Sequence, residues 1–161
     1  MLLLCACLVS CENPWMKDIM GGLDKKEKPV ENPEENIGFT SLDEAISWLN
    51  SQPGGGAPTN PVQLVMQIPL GNMTAPGSGW QTLLEAINNS GKYVDLDLSN
   101  CSMSSTVFDS NNAIDIGQSK ITSLVLPNQA QSLTVFNASQ FSNLNHVSGA
   151  SVNFLRMLTF F

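Results

Sequence analysis

The sequence predicts an α/β fold built on short parallel strands, and three features say so. Two helix-start signals, Ser41-x-x-Glu44 and Ser78-x-x-Gln81, each open an amphipathic stretch that runs on into an alternating apolar segment. A short aliphatic phrase recurs at Leu96, Leu124 and Val147, at spacings of 28 and 23 residues. Charged residues make up only 13% of the chain, against about 25% in ordinary soluble domains. Ser, Asn, Thr, Gln and Gly fill the gap, which suits turns and strands better than a charged helical bundle.

In the first unit, Ser41 and Glu44 are placed to satisfy backbone donors of a first helical turn. Leu42, Ala45, Ile46 and Leu49 then share one helix face, and Gln52-Pro53-Gly54-Gly55-Gly56 stops the helix. Val62, Leu64, Met66 and Ile68 alternate with other residues, as in a strand. The second unit repeats the layout at an offset of 38 residues, with Trp80, Leu83, Leu84 and Ile87 on the face. Asn89-Ser90-Gly91 closes this helix, and a strand is expected from Lys92 to Leu98 with Val94, Leu96 and Leu98 on one side. A helix feeding a strand twice implies parallel strands. Trp48 and Trp80 are read as helix core or helix–sheet contacts, not as ligand-stacking groups, since aromatics dominate buried area.

The N-terminus carries a different signal. Residues 2–9 form an apolar run, too short for the ~20 residues a spanning helix needs. The run matches the apolar centre of a secretory signal. Leu8-Val9-Ser10-Cys11 resembles the bacterial lipobox, which implies lipid attachment at Cys11 and a mature chain that begins there. Cys5 and Cys7 fit the motif less well. With ~0.8 kcal/mol per buried CH₂, two or more acyl chains give stable anchoring. Residues 1–11 are therefore expected to be a lipoprotein signal segment. Met1 abuts the apolar run with no preceding Lys or Arg, so a start codon further upstream is expected. The plain alternative for residues 2–11 is a short buried strand that ends in Cys. Residues 12–36, rich in Pro, Glu, Lys and Asn, are expected to be a disordered tether.

From Tyr93 the register becomes more specific. Tyr93-x-x-Leu96-x-Leu98-x-x-Cys101 matches the leucine-rich-repeat template, in which the central L-x-L faces inward. Ile121-x-x-Leu124-x-Leu126-Pro127 is a second copy and Leu144-x-x-Val147-x-Gly149 a degenerate third. The segment 121–151 resembles the BspA-like leucine-rich-repeat family. The longer stretch 41–152 is similar to spirochaete-type lipoproteins of that group, through Glu44-Ala45-Ile46-Ser47-Trp48-Leu49 and Gly91-Lys92-Tyr93-Val94-Asp95-Leu96-Asp97-Leu98-Ser99. Residues 37–152 are thus expected to form a short leucine-rich-repeat solenoid with parallel strands, preceded by two helix–strand units. Cys101 should pack in the core, and Asp95, Asp97, Thr122, Ser123 and Val125 should face outward.

The resemblance implies a lipid-anchored, extracytoplasmic protein of the cell envelope, at the outer membrane or surface. Its implied partners are the membrane, through the N-terminal lipid, and a protein ligand, with adhesion as the role. The alternative is a structural envelope component or a truncated, non-functional remnant of a longer repeat protein. Residues 153–161 form an apolar tail, expected to be an interrupted repeat or a lid on the last one.

Several chemistries are not supported. The net charge is −7 and the longest basic run is Lys25-Lys26, so a nucleic-acid footprint is missing. The acid is concentrated before residue 45, as in a solvated linker. His146 is the single histidine, and no G-x-S-x-G elbow accompanies it. Asp95 and Asp97 read as the solvated side of a strand. Asp109-Ser110-Asn111-Asn112-Ala113 lacks the glycine and terminal glutamate of a calcium loop. Gly54-Gly55-Gly56 follows a helix, so it does not cradle a phosphate. One histidine and one cysteine in the body of the chain fall short of a zinc site. No enzyme activity, catalytic residue, metal site or cofactor is expected.

Overall fold

Helix α1 (Leu42–Ser51) begins where its cap says it should: the Ser41 hydroxyl accepts from the Glu44 amide at 3.5 Å. The computed structural model describes residues 38–110, 116–134, 137 and 139–149. All belong to the second of two units, Glu35–Phe161. On α1, Ala45 and Leu49 are buried, while Leu42 and Ile46 of the same stripe are half-buried. Helix α2 (Gly79–Ser90) starts at Ser78, whose hydroxyl accepts from the Gln81 amide at 3.2 Å. The Gln81 side chain in turn accepts from the Gly77 amide at 2.8 Å, one residue further back than a reciprocal box requires. Trp80, Leu83, Leu84 and Ile87 are all buried. Gly91, at φ +67°, ends the helix in the left-handed conformation that glycine adopts without strain.

The strands are β1 (Val62–Val65), β2 (Pro69–Gly71), β3 (Val94–Asp97), β4 (Ser102–Met103), β5 (Val107–Phe108), β6 (Ile121–Val125), β7 (Ser132–Leu133) and β8 (His146–Ser148). A 3₁₀ turn, Gln118–Lys120, precedes β6. Four strands form one sheet in the order β1-β3-β6-β8, each pair parallel. Phe39 adds a single parallel bridge to Met66, and its ring lies 5.2 Å from that of Trp48. Two shorter parallel pairs, β2 with β4 and β5 with β7, follow the long strands. The fold is therefore mixed α/β with parallel strands, as the capped units predict.

The core is organised by register. Leu64 opposes Leu96, Leu96 opposes Leu124, and Leu124 opposes Val147. All four are buried. Trp80 meets Phe108 edge-on at 5.4 Å beneath α2. Cys101 is buried, and its thiol donates to the Met66 carbonyl at 3.3 Å. Burial pushes this thiol up to about 11; the Ile68 backbone hydrogen bond opposes the rise and the Asp97 charge adds to it.

Two expectations need correction. The second-unit strand is shorter than 92–98, spanning Val94–Asp97. Thr122 does not face outward: it is 1% exposed. The register steps from Val94–Ile121 to Asp95–Ser123, so Thr122 is the extra residue of a β-bulge and turns inward. The lipobox with Cys11, the tether at 12–36 and the tail at 153–161 lie outside the described residues, as do Asn111 and Ala113.

Gly117, at φ +85°, passes so close to α2 that a Cβ there would strike the Leu84 carbonyl. Gly117→Ala should therefore lose more than the ~1–3 kcal/mol typical of an unfavourable backbone conformation. Gly91→Ala, with open space around its Cβ position, should stay within that range. Urea denaturation of the two variants tests the ranking, and equal midpoints would overturn it.

Cys101 has its own pH signature. Its folded-state value of about 11 stands above the reference of 9.0, so the folded state holds the thiol proton more tightly. That contribution is complete below the reference value and is lost as pH rises through the folded one. At 1.36 kcal/mol per pH unit, this rise makes the complete loss about 3 kcal/mol. The difference in stability between wild type and Cys101→Ala should shrink by that amount across this window. Parallel stability–pH curves would contradict the assignment.

Candidate binding face

Successive side chains of a strand point to opposite sides. With Leu64, Leu96, Leu124 and Val147 turned into the core, the intervening residues form the other side of the sheet. Register sets them in two rows. One is Gln63–Asp95–Ser123–His146 and the other Val65–Asp97–Val125–Ser148. Gln63 and His146 are exposed, and the six others are half-buried. Together with Asn100, Gln63, Val65, Asp95, Asp97, Ser123 and Val125 line an open groove of about 340 Å³.

The two carboxylates in the groove are held in place. Asp95 Oδ1 accepts from the Thr122 hydroxyl at 2.6 Å. That hydroxyl also lies 3.0 Å from the Val94 carbonyl, so the bulge brings the donor under the groove. Asp97 Oδ1 accepts from the Ser99 amide at 2.8 Å. The two lysines among the described residues are committed elsewhere. Lys92 Nζ donates to the Gln52 and Gly54 carbonyls at 2.7 and 2.8 Å. Lys120 Nζ lies 4.2 Å from the centroid of the Tyr93 ring. Both sit at the N-terminal ends of the strands, so the aspartates are offset by neutral hydrogen-bond donors.

The structure brings together four of the five residues that the repeat template turns outward: Asp95, Asp97, Ser123 and Val125. Thr122 instead supports them from beneath. Gln63 and Val65 escape the template, because Leu64 precedes Leu96 by 32 residues, beyond the usual repeat length, and Asn100 falls at one of its unspecified positions. The alternation of Val62, Leu64 and Met66 was the available signal for Gln63 and Val65. His146 shares a row with Ser123 and Asp95, but the order is carboxylate, hydroxyl, imidazole. A relay needs the imidazole in the middle. No group of three metal-ligating side chains occurs among the described residues. No helix among them is long and apolar enough to cross a membrane. A second cavity, of about 360 Å³, lies between the turn after β2 and β5, with Met73, Met103 and Val107 among its lining residues.

No protein-family model matches the chain, and no match emerges among curated proteins or solved structures. The geometry itself defines a mixed α/β chain whose parallel sheet presents a grooved, acid-bearing outer side.

Thr122→Val keeps the side-chain shape and removes the hydroxyl from a buried position. The expected loss is about 1.5–3 kcal/mol, the range for a hydrogen bond to a charged group. Thr122→Ser retains the donor and should lose less. Thermal melting of both variants tests this, and an undisturbed Thr122→Val would remove Thr122 from the groove's support.

Proposed function

We propose that this chain is a lipid-anchored cell-envelope protein of the leucine-rich-repeat type, a non-enzymatic module that binds another protein through its grooved sheet face. One observation carries the reading: the aliphatic column Leu64–Leu96–Leu124–Val147 runs through strands that are neighbours in chain order, with a groove on the opposite side. Stacked repeats are built this way, and such a stack leaves its outward residues free to suit a partner. The short pairs β2–β4 and β5–β7, following the long strands, are consistent with a coil repeated along one axis. The solenoid is part of this proposal.

The anchor rests on Leu8-Val9-Ser10-Cys11. A flexible segment over residues 12–36 would span roughly 25–30 Å on average, enough to hold the face clear of lipid headgroups. The acidic groove suits that separation, since anionic headgroups repel it.

Metabolic labelling with a fatty acid should mark Cys11, and Cys11→Ser should move the protein from the membrane fraction to the soluble one. Wild-type protein found wholly in the soluble fraction would overturn the proposal.

A further inference from the structure

We infer that the groove takes a basic, extended segment of a partner protein, with Lys or Arg side chains seated over Asp95 and Asp97. This rests on the binding-face reading above and names the chemistry of the occupant. Asp95 and Asp97 stand two residues apart on β3, roughly 7 Å along a strand. That repeat matches alternate side chains of an extended partner laid alongside. Each carboxylate has one oxygen tied to the protein, through Thr122 or Ser99. Its second oxygen has no hydrogen bond among the described residues.

Apolar surface is placed to complement that charge. Val65 and Val125 flank Asp97 in register. A Lys or Arg stem lies well on such ledges while its head reaches the carboxylate. Gln63, Asn100 and Ser123 supply neutral polar groups around the same groove. Among the described residues no cation serves this place, because Lys92 and Lys120 are occupied by carbonyls and by the Tyr93 ring. The described residues include six carboxylates against these two lysines. The segment 12–36 is a poor occupant, since it carries seven acidic residues against four lysines. The groove is open along the sheet, which favours a polymer over an enclosed small molecule.

The test uses the full chain in detergent and two fluorescent octapeptides, one alternating Ser and Lys, the other Ser and Glu. The Lys peptide should bind and the Glu peptide should not. The double variant Asp95→Asn/Asp97→Asn keeps both Oδ1 acceptors and should weaken Lys-peptide binding roughly tenfold, with a shallower salt dependence. Asp43→Asn/Glu44→Gln removes the same charge from the exposed side of α1 and should leave binding within about twofold. Gln63→Arg, which adds a cation at the rim, should weaken binding as the double variant does, and serves if that variant folds poorly. Equal losses in the two double variants, or no binding by wild type, would overturn the inference.

A photo-crosslinking residue in place of Gln63 separates this from failure of the parent reading. If it captures an envelope protein in cells while the Lys peptide fails, the face survives and the basic partner does not. If nothing is captured and the peptide fails, the binding-face reading falls as well.

Discussion

The column of Leu64, Leu96, Leu124 and Val147 is the interaction on which the rest depends. Each buried aliphatic side chain contributes about 1.5–3 kcal/mol, but its larger effect is on register. A slip of one residue in any strand would turn its aliphatic set to water and its polar set into the core. The column therefore determines which residues form the outer side. The two rows that end at His146 and Ser148 follow from the inward leucines. Helix α2 covers the same core through Trp80, Leu83, Leu84 and Ile87. Gly117 permits the turn before β6 to run against the Leu84 carbonyl.

Much of this was legible in the residues because the signals are local. Ser41 and Ser78 cap helices in the structure as their sequence context requires. The phrases around Leu96, Leu124 and Val147 meet as neighbouring parallel strands of one sheet. The membership of β1 was harder to read, since the stretch from Leu64 to Leu96 contains all of α2 and exceeds an ordinary repeat. The short pairs β2–β4 and β5–β7 have two or three residues per strand, too few for any periodicity to register. Thr122 shows a subtler limit. Ile121 and Leu124 are an odd number of residues apart, so strict alternation cannot bury both. A bulge has to absorb the mismatch, and the spacing alone does not say which residue will turn in.

The few charges of the folded unit have separate tasks. Lys92 ties the end of α1 and the glycine loop to the start of β3 through two carbonyls. Lys120 covers Tyr93 at the neighbouring strand end. The aspartates are left on the groove side, above a thiol that burial keeps protonated. The Thr122 bulge and the Ser99 turn fix where those carboxylates point, so the groove's charge pattern follows from backbone geometry as much as from composition.

Chain-order adjacency in the four-stranded sheet has a mechanical consequence. In this sheet β3 pairs with β1 and β6, and β6 with β3 and β8, so no later strand is inserted between two earlier ones. Tension drawn from the N-terminal side would load the Phe39–Met66 bridge and α1, then peel β1 from β3, before it reached β6 or β8. The bonds of one pair would break in sequence, so the sheet would yield as a zipper rather than resist as a clamp. Force applied at that end would be spent on the Phe39 bridge and the first strand pair, while the half of the groove formed by β6 stayed folded.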